Sequence, residues 1–135
     1  MRRKRIAVYD TNPAECETTA EALREYFDRR SEEAKICAFT ESQRFLLDFR
    51  DNHYDMVFMA MNTPIDLNTA RSAGCIDLTC PLFFVSRNED YCLEGYRLSV
   101  LDYLLKPVTC QCLHEALSLI DTDFGRNRRR MLHTG

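Results

Sequence analysis

Apolar residues along the chain fall into short unbroken runs, separated by stretches where they recur every three or four positions. The first pattern suits buried strands and the second suits helices with one covered face. Residues 5–9 form the first such run, ending at Asp10. Asn12, Pro13 and Glu15 then supply an N-cap, a proline at the first helical position and a capping glutamate. The helix they open carries Cys16, Ala20, Leu23 and Phe27 as a stripe and stops in the polar stretch 29–33. Residues 34–39 predict a second strand, and Thr40 with Gln43 a second capping box, opening a helix through Phe45, Leu46 and Phe49. A third strand covers 54–61 and closes on Asn62-Thr63-Pro64.

Patterning is poorest over 65–79, where Leu67 and Ala70 support only a short helix before Gly74. Beyond Pro81 the pattern gives a strand at 82–86, a helix at 89–98 and a strand at 101–105 interrupted by Asp102. A closing helix at 109–120 turns Leu113, Ala116, Leu117 and Ile120 inward. Strict alternation of strand and helix predicts an α/β fold, a parallel sheet covered on both faces, with Ile6, Val8, Val57, Met59, Phe84 and Val85 in its core. Right-handed crossovers bring the loops after strands one, three, four and five to one edge, where a ligand or reaction site forms.

Those loops contribute Asp10 and Thr11, residues 60–62, Ser86, and Lys106-Pro107. In combination they resemble a response-regulator receiver domain, the CheY-like, flavodoxin-like module that accepts a phosphoryl group on an aspartate. The resemblance covers residues 4–121 and rests on the acidic position after strand one, the Asn62-x-Pro64 loop, Ser86, Tyr103 and Lys106-Pro107. Residues 91–107 look closest to receivers of the LytR/AlgR type of transcription regulator. The resemblance implies a five-stranded parallel sheet in the order 2-1-3-4-5, with helices on both faces.

It also implies that Ala60 stands where the phosphoacceptor aspartate belongs, and Thr11 where a second metal-holding acid belongs. A methyl group can neither attack phosphorus nor ligate magnesium, so transfer at Ala60 is excluded and magnesium binding is expected to be weak or absent. The remnant pocket would be Asp10, Thr11, Asn62, Ser86 and Lys106, with Tyr103 at the aromatic switch position. Each also has a purely architectural explanation: a Lys106–Asp10 ion pair, Ser86 satisfying a loop amide, Tyr103 as a half-covered strand aromatic, and Pro107 fixing a tight turn that admits a cis bond. Two losses at one site point to a naturally degenerate receiver rather than an introduced Asp-to-Ala change. The loop after Pro64 departs from the family pattern in lacking a glycine.

Composition narrows the partners. The 135 residues, 45% of them apolar, suit one domain, and a net charge of −3 gives the whole no nucleic-acid signature. The basic start, residues 2–5, lacks the apolar stretch of a signal peptide, and no run reaches membrane-spanning length, so a cytoplasmic protein is expected. Seven cysteines without a Cys-x-x-Cys pair read as small hydrophobes, and His53, His114 and His133 as surface residues. Residues 122–135, with Arg126 and Arg128 to Arg130, form a basic tail or linker. It would lead to an output domain absent from this chain, through which alone DNA would be bound.

The leading expectation is therefore a non-enzymatic, protein-binding module that regulates transcription. Receivers pair through helix 4, strand 5 and helix 5, a face that here offers Glu89, Asp90, Arg97, Asp102 and Glu115 to a homodimer. A ligand- or anion-sensing flavodoxin-like domain using Asp10, Ser86 and Lys106 is the alternative, disfavoured by the absence of a Gly-rich loop. A substitute phosphoacceptor at Asp10 or Asp66 is weaker still, because an acceptor must lie in line with metal and lysine.

Overall fold

The structure, a computed structural model, describes residues 3–123, with side-chain surroundings through residue 118. Five strands, β1 (Lys4–Tyr9), β2 (Ala34–Phe39), β3 (Met56–Ala60), β4 (Leu82–Ser86) and β5 (Asp102–Leu105), alternate with five helices. These are α1 (Pro13–Arg29), α2 (Ser42–Asp51), α3 (Pro64–Ile76), α4 (Cys92–Arg97) and α5 (Cys110–Asp123). All strand pairs are parallel and the order is β2-β1-β3-β4-β5, as expected of the flavodoxin-like arrangement.

Alternating side chains divide the core in two. Ile6, Val8, Phe58, Phe83 and Val85 face α1 and α5. Ala7, Tyr9, Val57, Met59 and Phe84 face α2, α3 and the residues flanking α4. All six residues placed in the core by the sequence are buried, as are Cys16, Ala20, Leu23 and Phe27 of the α1 stripe and Leu113, Ala116 and Leu117 of α5. Ile120's side chain and the basic stretch with Arg126 to Arg130 lie outside the described residues.

Several boundaries differ from expectation. α2 starts at Ser42 with Glu41 as N-cap, so the Thr40–Gln43 capping box does not form. Phe45 and Phe49 are buried, and Ser42 Oγ shares a 2.7 Å hydrogen bond with Thr69 Oγ1 of α3. α3 is a full 13-residue helix running through Gly74. The missed signal lies at its start: Thr63 is the N-cap, Pro64 follows, and the Asp66 carboxylate accepts from the amides of Asn62 (2.8 Å) and Thr63 (3.0 Å). Leu67, Ala70 and Ala73 then bury one face.

α4 is shorter than the predicted 89–98: the Asn88 carbonyl that such a helix would pair with the Cys92 amide is taken by Tyr103, and that amide bonds Glu89 O at 3.1 Å instead. Asn88 Oδ1 accepts from Asp90 N at 2.9 Å, and Tyr103 Oη engages Asn88 O and Tyr91 N. β3 and β5 are likewise trimmed at their ends, and α5 continues to Asp123. No helix among the described residues is long and apolar enough to cross a membrane.

Candidate functional site

The strand register assembles the site. Tyr9 pairs with Met59 and Ala60 with Val85, so the residue after β1, Asp10, stands level with Ala60, on the face covered by α1 and α5. Asp10 is 1% exposed and Ala60 is 2% exposed. The Lys106–Pro107 bond after β5 is cis, and the Lys106 side chain turns inward to only 7% exposure.

Lys106 Nζ has three partners, matching the three donors of an ammonium group. It lies 2.8 Å from Asp10 Oδ2, and donates to Glu15 Oε1 at 2.6 Å and to Asn62 Oδ1 at 3.0 Å. The Asp10 contact is an ion pair without hydrogen-bond alignment, since Oδ2 has no well-directed donor. Asp10 Oδ1 accepts from Asn12 N at 2.9 Å and Asn62 Nδ2 at 2.8 Å. Asn62 therefore bridges carboxylate and ammonium, and its amide also donates to Thr11 Oγ1 at 3.2 Å.

Two participants escaped the sequence reading. Glu15, expected to close a capping box, instead sends its carboxylate across the sheet edge. Its backbone amide still takes the Asn12 cap at 3.1 Å, but Oε1 holds Lys106 and Oε2 accepts from Arg87 Nη2 at 2.5 Å. The hydrogen bond from Lys106, with that from Arg87, holds the Glu15 carboxyl below its ordinary pKa, and a carboxylate in the first turn of α1 also suits the helix dipole. Arg87 directly follows Ser86, and only its position at the end of β4 marked it as able to reach the site.

The remaining residues singled out by the sequence are engaged in the scaffold. Ser86, 1% exposed, donates from Oγ to the Met61 carbonyl at 3.2 Å, satisfying an acceptor where an amide was anticipated. Tyr103 Oη donates to Asn88 O at 2.9 Å and accepts from Tyr91 N at 3.2 Å, with its ring edge-on to Phe84. Burial pushes the Tyr103 phenol pKa up. Asp66, 1% exposed, has both oxygens in use, capping α3 and accepting from Tyr9 Oη at 3.3 Å.

The site is thus a charge-balanced cluster of two carboxylates, Asp10 and Glu15, and two cations, Lys106 and Arg87. Of Asp10, Thr11 and Ala60 only Asp10 carries a carboxylate, and an ammonium group already lies against it. Among the described residues no three His, Cys, Asp or Glu side chains converge as a metal-holding group.

No family model and no curated protein matches the sequence. Solved structures do match the fold. The receiver (REC) domain of AraT, a response regulator from Geobacillus stearothermophilus, superposes with a TM-score of 0.74 at 20% identity, over 94% of this chain and 99% of that one. The response regulator TrrA from Thermotoga maritima, solved with magnesium and beryllofluoride, gives 0.71 at 20% identity over 87% and 98%. The receiver domain of a sensor histidine kinase from Pseudomonas aeruginosa, with magnesium in its active-site cleft, gives 0.72 at 15% identity over 89% and 99%. The likeness is one of fold, a CheY-like architecture.

Proposed function

We propose that the chain is a receiver-like signalling module that forms no aspartyl phosphate and acts through protein contacts, as the regulatory part of a transcription regulator of the LytR/AlgR type. One observation carries the reading: Lys106, the cation at the phosphoryl-binding position, is already engaged by two hydrogen bonds, to Glu15 and Asn62, and by an ion pair with Asp10, while Ala60 offers no nucleophile beside them. The degenerate pocket is natural rather than introduced. Thr11 is a second departure at the same site, and Glu15 and Arg87 complete its charge balance without a third carboxylate. The anion-sensing alternative has less support, because Asp10, Ser86 and Lys106 all have internal partners.

The contact face is α4, β5 and α5. Leu93, Tyr96 and Leu105 are exposed there, beside Glu89, Asp90 and Arg97, a mixture of apolar and charged groups suited to a homodimer. The site holds no magnesium at ordinary concentrations.

The test is incubation with acetyl phosphate and magnesium, followed by intact mass, a melting scan and sedimentation. Unchanged mass, melting temperature and association state are expected. A gain of one phosphoryl group, or a donor-dependent change in oligomer, would overturn the proposal.

A further inference from the structure

The loop between β4 and α4 is held from two sides, by a different element on each. Arg87, its first residue, is tied to α1 through Glu15 Oε2 at 2.5 Å. Asn88 and Tyr91, later in the same loop, are tied to β5 through Tyr103 Oη, which donates to the Asn88 carbonyl at 2.9 Å and accepts from the Tyr91 amide at 3.2 Å. The side chains between them are exposed, and α4 beyond is only six residues long, so few other contacts fix this stretch. Glu15 meanwhile grips Lys106 with its other oxygen at 2.6 Å, joining the β5–α5 loop to the same point. One carboxylate on α1 therefore ties together two loops that lie 72 and 91 residues away in sequence.

We propose that Glu15 is a built-in anionic latch, which pins the β4–α4 loop and with it the exposed Leu93 and Tyr96 of α4 in a single arrangement. The idea rests on the reading of the site as one that acquires no charge from outside. A carboxylate supplied by α1 is permanently present, so the arrangement it favours is constitutive, and the α4 surface is presented continuously rather than on a signal. The path is contiguous: Glu15 to Arg87, Arg87 to the neighbouring Asn88 carbonyl, that carbonyl to Tyr103, and Tyr103 back to the Tyr91 amide at the head of α4.

Amide hydrogen exchange on the whole chain tests it, read at residues 88–92 and above all at the Tyr91 amide. Arg87→Gln leaves the buried Lys106 pair intact, so it probes the latch without endangering the fold, and Glu15→Gln probes both arms. Each should accelerate exchange in 88–92 by about threefold to fivefold, the scale of one partly exposed ion pair, while the Val57 and Phe84 amides keep their rates. The double variant should exchange no faster than the faster single variant, because both remove one interaction. Glu17→Gln, on the exposed side of the same helix, should change nothing in that window.

Unchanged exchange at 88–92 in both single variants would overturn the latch. So would additive effects, or acceleration shared equally by the sheet amides, which would mean general stability and not a local hold. A phosphoryl mass gain would instead overturn the preceding functional reading, whatever the exchange data show.

Discussion

Asp10 Oδ2 and Lys106 Nζ stand 2.8 Å apart, with side chains 1% and 7% exposed, so the pair is removed from water and held by groups that each have further partners. Deleting one member leaves the other as a buried charge. Glu15 and Asn62 stay with Lys106, which puts Asp10→Ala at the lower end of the usual range, about 3 kcal/mol of lost stability. Urea unfolding of the two proteins measures it. A loss within the ~0–1 kcal/mol of a surface pair would mean that Lys106 turns out to solvent.

Acid should weaken the Glu15 contacts in a defined direction. The carboxyl's folded pKa is depressed below its reference value of 4.5, chiefly by Lys106. The stabilisation is therefore complete above that reference value and is lost as pH falls through the lower folded value. Glu15→Gln should be less stable than the parent at pH 7, and the gap should close progressively as pH falls below that reference value. Unfolding midpoints from pH 7 down to 3 give the curve, and a gap that widens in acid would contradict it.

Restoring the site needs more than a nucleophile. Ala60→Asp alone adds a carboxylate beside Asp10 but leaves Thr11 in the metal shell, so phosphorylation by acetyl phosphate should stay slow or undetectable. Thr11→Asp with Ala60→Asp rebuilds three carboxylates around Lys106 and should give magnesium binding and a one-phosphoryl mass gain. Full activity from Ala60→Asp alone would make Thr11 innocent and favour an introduced change at position 60.

The cysteines should separate by burial. All seven are free thiols; Cys75 is exposed, whereas Cys16 and Cys80 are buried, with thiol pKa values raised to about 11 and about 12 by desolvation. Since the thiolate is the reactive form, Cys75 should alkylate first at neutral pH and Cys16 and Cys80 only on unfolding. Peptide mapping after timed iodoacetamide treatment reads the order, and early labelling of Cys80 would contradict its packing.

What the sequence disclosed followed from periodicity and chain order. Buried runs such as 82–86 and the α1 stripe from Cys16 to Phe27 form through local spacing, so they were visible, and alternation then fixed which loops share an edge. The Lys106–Asp10 pair was legible because both residues sit at ends of strands on that edge. Glu15 and Arg87 were not: their contact joins a first helical turn to a loop 72 residues away, and neither residue type is constrained locally. The start of α2 differed from expectation beside another distant contact, the hydrogen bond of Ser42 Oγ to Thr69 Oγ1, 27 residues away. At α3 the weakness lay in giving Gly74 too much weight and overlooking Asp66 three residues after Thr63.

The Asp66 cap has one more implication. Its carboxylate shapes the turn after β3 from the side away from Lys106, gripping the Asn62 and Thr63 amides and anchored by the Tyr9 hydroxyl. The bonds that brace this turn come from Asp66 and not from position 60, so its form and the chemistry of position 60 are set by different residues. Such a turn presents its backbone at the sheet edge in a fixed form, and a small change of side chain at position 60 can alter the chemistry there without altering the loop.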